Sequence, residues 1–115
     1  MTLALLIDDH KELLDIFQDV LAYEGIEAIK ASNPMEGIAL AKAQRPDVIL
    51  CDLTMPALTG REVRQQLLND ETTAHIPFVF ISAHANVIPE TGERWLFKPF
   101  TLADVTTLLR EILGK

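Results

Sequence analysis

Short apolar runs alternate with longer amphipathic segments along this chain, an alternation typical of strands joined by crossover helices. Five of the short runs have the length of strands. They lie at Leu3–Ile7, Glu27–Ala31, Val48–Cys51, Phe78–Ile81 and Trp95–Phe97. Because parallel strands need long crossover connections and are buried on both faces, the pattern predicts a parallel sheet covered by helices.

Four segments between and after these strands have apolar residues at helical spacing. The first segment ends at a glycine, Gly25. The second begins with a polar cap, Ser32 or Asn33, followed by Pro34, and it must end before Pro46. The last begins with a capping pattern formed by Thr101 and Asp104. The third helix is predicted to follow Gly60.

The fourth crossover is unusually short. The twelve residues SAHANVIPETGE lie between the fourth strand and the fifth, and they include Pro89 and Gly92. A parallel connection of this length leaves room for one or two helical turns, so helix four, the helix of this crossover, is predicted to be shortened or missing. The predicted fold class is therefore α/β, a single doubly wound five-stranded parallel sheet of order 2-1-3-4-5, flavodoxin-like, with helix four reduced.

Composition narrows the class of protein. The chain of 115 residues suits one domain over residues 1–115, and its 49% hydrophobic and 23% charged residues are far from the composition of a disordered chain. A net charge of −7 disfavours direct binding to nucleic acid or to a membrane, because both need clustered basic residues. With no signal-peptide pattern and only Cys51 as a small buried thiol, the chain is expected to be soluble and cytoplasmic.

Charged and hydroxyl side chains stand at the carboxyl ends of four of the five predicted strands. They are Asp8 and Asp9 after the first, Asp52 after the third, Ser82 after the fourth and Lys98 after the fifth. In a doubly wound sheet, ligands bind in the crevice at these ends where the strand order reverses. Strands one and three are neighbours at that point, so the three carboxylates are expected to converge.

Convergent carboxylates need a counter-ion, because each pair repels by roughly 4 kcal/mol at 4 Å with an effective dielectric near 20. Mg²⁺ fits best, since it binds through one or two carboxylates and keeps positions for water and phosphate oxygens. Lys98 and Ser82 are suitable partners for phosphate oxygens. The constellation indicates phosphoryl transfer with an aspartate as nucleophile.

Each of these residues also has an ordinary structural interpretation. Asp9 or His10 could cap the first helix. Asp8 could be a solvated loop charge, and Asp52 could form an Asx turn. Lys98 could be a surface charge. The coincidence of five suitable residues at the ends of the right strands favours a common site over these separate interpretations.

Four stretches of the sequence resemble the receiver domain of response regulators in two-component signalling. They are LLIDDH (residues 5–10), VILCDLTMPALTG (48–60), VFISAH (79–84) and LFKPF (96–100). Any one of them is weak evidence, whereas all four in this order are highly specific, and together they span essentially the whole chain. The resemblance implies a fold like that of the chemotaxis regulators.

The resemblance also implies a role for each acidic residue. Asp52 is expected to accept a phosphoryl group from the phosphohistidine of a histidine kinase or a histidine phosphotransfer protein. The implied cofactor is Mg²⁺, with Asp9 as a direct ligand and Asp8 acting largely through water. The carbonyl of Thr54 completes the implied ligand set.

Ser82 and Lys98 match the hydroxyl and the lysine that bind the phosphoryl oxygens in this family, and the Lys98–Pro99 bond is expected to be cis. Two features depart from the family pattern. Trp95 stands where a Tyr or Phe usually swings inward on phosphorylation, and the interval from Ser82 to Lys98 is shorter than usual. The resemblance therefore predicts phosphorylation chemistry together with an altered output surface.

The leading hypothesis is a phosphorylatable receiver domain that regulates an effector protein and is not an enzyme, apart from its own self-phosphorylation and dephosphorylation. The alternative is a phosphorylation-independent binding module that uses the altered helix-four region. A phosphohydrolase is disfavoured because the D-x-D nucleophile motif is absent, and a flavin protein because the first strand ends in two acids. The cognate kinase, the effector and the oligomeric state stay open.

Overall fold

The computed structural model describes residues 2–83, 90 and 92–114. Strands and helices alternate along this part of the chain as the hydrophobic pattern predicts. In order they are β1 (Leu3–Ile7), α1 (Lys11–Tyr23), β2 (Glu27–Ala31), α2 (Pro34–Gln44), β3 (Val48–Asp52), α3 (Gly60–Leu68), β4 (Phe78–Ser82), β5 (Arg94–Phe97) and α4 (Leu102–Leu113).

The strands form one parallel sheet in the order β2-β1-β3-β4-β5, which confirms the predicted fold class. Asp52 and Ser82 were predicted to follow their strands, and this detail is wrong. Asp52 is the last residue of β3, paired with Ile81, and Ser82 is the last residue of β4, paired with Phe97. Both ladders continue through these polar residues because strand pairing uses backbone groups and not side chains. At its other end β5 begins one residue earlier than predicted, at Arg94.

Alternate residues of each strand serve two separate layers of the core, as expected when helices cover both faces of a sheet. In β1, Leu6 packs with residues of α1 and α4, whereas Leu5 and Ile7 pack with residues of α2 and α3. Cys51 is buried in the second layer as a free thiol, which confirms its predicted role as a small hydrophobe. The polar ends of the strands are therefore held at one edge of a rigid sheet.

The helix starts follow local capping chemistry. Asn33 is the cap of α2, and a capping box in which Thr101 and Asp104 hydrogen-bond each other's backbone opens α4. Thr59 and Glu62 form a second capping box at the start of α3 that the sequence analysis did not identify. None of the helices in the described ranges is long and apolar enough to cross a membrane.

The fourth crossover lies between β4 and β5. The prediction that helix four is shortened or missing falls mainly on residues 84–89 and 91, which are outside the described residues. Of the remainder, Gly92 has a φ of +84°, a left-handed conformation that favours glycine, and the Glu93 N–H donates to the carbonyl of Glu90 over 3.1 Å. This turn brings Glu93 to the start of β5.

Candidate functional site

The carboxyl ends of β1, β3 and β4 and the segment after β5 surround a cleft of about 460 Å³. Five of the six site residues predicted from the sequence line it: Asp9, Asp52, Thr54, Ser82 and Lys98. The sixth, Asp8, is buried, and its carboxylate lies 3.8 Å from the Lys98 ammonium. The structure thus brings all six residues together, as the strand order requires.

Acidic side chains and one imidazole are clustered at the end of β1 and β3. Asp8, Asp9, His10 and Asp52 each place one ligand atom so that these four atoms lie within 4.8 Å of one another. The cause is the strand register, because Ile7 pairs with Cys51 and the residues that follow both must emerge side by side. Such a cluster is unfavourable without a positive partner.

Asp52 is buried at the end of β3, with only 6% of its surface exposed. Burial raises its pKa to about 6, and the neighbouring Asp8 carboxylate adds to the shift. Lys98 and a hydrogen bond from the Thr54 N–H act in the opposite direction. Thr54 is two residues after Asp52, the spacing of an Asx turn, so the ordinary structural interpretation of Asp52 is compatible with its place in the cleft.

Asp8 is not the solvated charge of the ordinary interpretation, because its side chain is only 4% exposed. One oxygen, Oδ1, accepts a hydrogen bond from the His10 N–H over 2.9 Å. Within the described residues the other oxygen, Oδ2, is buried without a hydrogen-bond partner. A buried carboxylate oxygen of this kind fits a hydrated divalent cation, which supplies either a metal bond or a water hydrogen bond.

Lys98 and Ser82 meet across the ends of β4 and β5. The Lys98 N–H donates to the Ser82 carbonyl over 2.8 Å, which fixes the start of the segment that carries the ammonium group. The Lys98–Pro99 bond is cis, as the resemblance predicts. Ser82 is buried, and the Lys98 side chain is 26% exposed, so the ammonium lies at the wall of the cleft.

The loop after Asp52 depends on Gly60. Its N–H donates to the Leu53 carbonyl over 2.8 Å, and a Cβ at this position would lie 2.7 Å from the carbonyl oxygen of Asp52. That oxygen belongs to the backbone and cannot rotate away, so a larger residue would displace the loop that presents Thr54. Close approach of two backbone segments explains the glycine here.

His10 is the residue of the site that sequence reasoning missed. It is the N-cap residue of α1, but its side chain makes no capping hydrogen bond. Instead its Nδ1 lies 3.0 Å from Asp8 Oδ1 and 3.3 Å from Asp9 Oδ1. The hydrogen bond with Asp8 and the charge of Asp9 raise the pKa of His10. Its position directly after two aspartates was the one signal available in the sequence.

Trp95 is held in place by neighbours on three sides. Its indole N–H donates to Glu93 Oε1 over 3.1 Å, and its ring stacks on Phe80 and Phe97 with centroids 4.7 and 5.6 Å away. The Arg61 guanidinium lies 5.5 Å from the Trp95 ring centroid. These contacts restrict rotation of the Trp95 side chain.

Glu93 organises this aromatic cluster. Its side chain is 2% exposed and is hydrogen-bonded by Arg61 and by the Glu90 N–H, with Arg64 at 3.7 Å. Burial opposes its ionisation, yet these hydrogen bonds and the one from Trp95 lower the pKa of Glu93 below its usual value. Glu93 therefore ties α3 to β5.

A profile of the response regulator receiver domain matches residues 4–110. This chain belongs to that family. The polar-differentiation response regulators DivK of Brucella anthropi and Brucella ovis are 29% and 31% identical to it over 116 residues. Each alignment covers 96% of this chain and 94% of the relative.

Solved structures of receiver domains superimpose closely on this chain. The chemotaxis protein CheY4 of Vibrio cholerae has a TM-score of 0.88 at 26% identity, covering 97% of this chain and 98% of its own. The receiver domain of a Pseudomonas aeruginosa sensor histidine kinase, with a magnesium ion coordinated in its active site cleft, has a TM-score of 0.90 at 21% identity, covering 99% and 98%. The second likeness concerns the fold alone.

Proposed function

We propose that this receiver domain accepts a phosphoryl group on Asp52 in the presence of Mg²⁺ and thereby regulates a partner protein. The observation that carries the proposal is the convergence of Asp8, Asp9 and Asp52 in one cleft with Lys98 at its wall. A buried carboxylate with a raised pKa, next to a positive group and an unsatisfied oxygen, is a suitable acceptor for an electrophilic phosphorus.

The cation would be held by Asp9, Asp52 and the carbonyl of Thr54, with Asp8 bound through water. These are oxygen ligands, which Mg²⁺ prefers, and Asp9 and Thr54 line the open cleft. When bound, Mg²⁺ neutralises the charge of the carboxylates and of the incoming phosphoryl oxygens. The magnesium ion in the cleft of the Pseudomonas receiver domain supports this assignment.

The chemistry is a phosphoryl transfer. A carboxylate oxygen of Asp52 forms a bond to phosphorus, the P–N bond of the donor phosphohistidine breaks, and its electron pair stays on the donor imidazole. Lys98 and Ser82 bind the phosphoryl oxygens and orient them in line. Water later cleaves the acyl phosphate and restores Asp52. The donor would be a histidine kinase or a histidine phosphotransfer protein.

A direct test is intact-mass measurement after incubation with acetyl phosphate and Mg²⁺. We expect one phosphoryl group on the wild type. We expect the same on Asp19→Asn, a control that neutralises an exposed carboxylate of α1 outside the cleft. Asp52→Asn, and the wild type in a metal chelator, are expected to remain unmodified. Equal modification of Asp52→Asn, or none of the wild type, would contradict the proposal.

The contacts of Trp95 favour a second candidate function, a binding module whose output does not depend on phosphorylation. Trp95 occupies the position of the family's mobile aromatic residue, but Glu93, Phe80 and Phe97 hold it in place. In this function the surface around β5 would present the same contacts to a partner with or without a phosphoryl group.

Fluorescence separates the two functions, because Trp95 is the only tryptophan of the sequence. Beryllofluoride with Mg²⁺ mimics the phosphoryl group on an aspartate. The leading proposal predicts a change in Trp95 emission that Asp52→Asn does not show. An unchanged emission, together with beryllofluoride binding measured by ¹⁹F NMR, would instead support the binding module.

A further inference from the structure

His10 places a nitrogen beside the oxygen ligands of the cleft. Its Nδ1 lies 3.0 Å from Asp8 Oδ1 and 3.3 Å from Asp9 Oδ1. Metal–ligand bonds of about 2.1 Å put adjacent ligands of a six-coordinate ion about 3.0 Å apart and opposite ligands about 4.2 Å apart. The first distance is that of a hydrogen bond between His10 and Asp8 in the metal-free protein. Both distances also match neighbouring positions around one ion, which would take the place of the shared proton.

The remaining ligand atoms need only small adjustments to share that ion. The atoms of Asp8, Asp9, His10 and Asp52 lie within 4.8 Å of one another, slightly more than the span of a coordination sphere. The side chains of His10 and Asp9 are 67% and 31% exposed, so they can move by this amount without disturbing the core. The imidazole is also free of any capping bond to α1.

A second observation points to a cation at this place. Asp8 Oδ2 is buried and has no hydrogen-bond partner within the described residues, and Lys98 Nζ, at 3.8 Å, is beyond hydrogen-bond reach. An acidic cluster alone does not require an ion, because exposed carboxylates are solvated by water. A buried oxygen that lacks a protein partner needs one from elsewhere, and a cation or a bound water can supply it.

The chemistry of the donors determines which cation gains from His10. Mg²⁺ prefers oxygen ligands and keeps its water, so an imidazole adds little to its binding. Late first-row divalent ions such as Ni²⁺ and Co²⁺ prefer imidazole nitrogen and follow the Irving–Williams order. We propose that His10 is a metal ligand of this cleft and makes it bind late first-row divalent ions, with Ni²⁺ as the probe, in competition with Mg²⁺. This proposal rests on the proposed function, because it concerns the same cation site.

The test is isothermal titration of the full chain, without a histidine tag, with Ni²⁺ and separately with Mg²⁺. We expect His10→Asn to lose at least about tenfold in Ni²⁺ affinity, the size of effect typical for groups that tune a metal site, and to keep its Mg²⁺ affinity. His75→Asn removes another exposed imidazole, one that lies outside the cleft, and is expected to change neither affinity. Nickel-edge X-ray absorption should show imidazole scattering that His10→Asn lacks.

The possible failures are distinguishable. Equal Ni²⁺ affinity in the wild type and His10→Asn, or an equal loss in His75→Asn, would overturn the role of His10 and leave the Mg²⁺ site and the proposed function intact. Absence of Mg²⁺ binding from the wild type would contradict the proposed function. The role of His10 would still be tested separately, by whether His10→Asn binds Ni²⁺ more weakly than the wild type.

Discussion

Replacing Asp52 with asparagine is expected to stabilise the metal-free protein at neutral pH by about 2 kcal/mol, a figure reduced for the partial solvation of the cleft. The reason is the pKa of Asp52, which burial, and then Asp8, raise from 3.8 to about 6. A carboxylate that resists ionisation in the folded state opposes folding once the solution forces it to ionise. Asparagine keeps the shape of the side chain and removes the charge.

The pH dependence follows from the same shift. Between pH 3.8 and about 6 the folded state keeps a proton on Asp52 that the unfolded chain has released. The contribution of this proton to stability is therefore present below pH 3.8 and is lost as the pH rises through 6. The advantage of Asp52→Asn is expected to appear across this interval and to be absent below it.

Urea unfolding in a metal chelator, at neutral pH and below pH 3.8, measures the effect. Asp19→Asn is the matched control, because it neutralises an exposed carboxylate and should change stability by no more than about 0.5 kcal/mol. Added Mg²⁺ should stabilise the wild type and reduce the difference, since the ion offsets the charge that asparagine removes. If Asp52→Asn is less stable than the wild type in chelator, the prediction is wrong, and other groups of the protein already offset the charge of the Asp52 carboxylate.

The site around Asp52 could be predicted from local sequence patterns together with the order of the strands. The apolar run before Asp52 predicts a buried strand, and in a parallel sheet the carboxyl ends of neighbouring strands must meet. Asp8, Asp52 and Lys98 therefore come together through topology alone, without knowledge of any side-chain conformation. The capping pattern at Thr101 works in the same way, because its partners are three residues apart.

The contacts that sequence could not predict depend on side-chain direction or on packing between distant segments. The imidazole of His10 contacts Asp8 and does not cap α1. This depends on the rotation of the side chain, which no residue pattern specifies. Arg61 and Glu93 are 32 residues apart, and their meeting depends on how α3 packs on the sheet. Neither residue type is unusual on a helix or before a strand, so the sequence around each gives no sign of the other.

The Arg61–Glu93 contact leads to the largest expected loss of stability. Glu93→Ala is expected to destabilise the protein by about 2–3 kcal/mol, because it leaves the Arg61 guanidinium and the Trp95 indole N–H without their acceptor. The pKa of Glu93 is lowered in the folded state, so its contribution is present above pH 4.5, the usual value, and is lost as the pH falls.

Glu90→Ala provides a matched control on the same guanidinium. The Glu90 side chain is 75% exposed and lies 3.7 Å from Arg61, whereas that of Glu93 is 2% exposed. Exposed ion pairs contribute about 0–1 kcal/mol, so the control is expected to change stability little. Urea unfolding followed through Trp95 emission measures both variants with a probe inside the cluster, and the folded-state emission of Glu93→Ala alone should change.

Equal and small losses in the two variants would mean that water replaces Glu93 as the acceptor and that Trp95 is not restrained by it. A large loss confined to Glu93→Ala would show that a carboxylate at the start of β5 ties this strand to α3. The position at which other members of the family carry a mobile aromatic residue would then be fixed by a buried charge. Phosphorylation would have to break this contact to change the surface around Trp95.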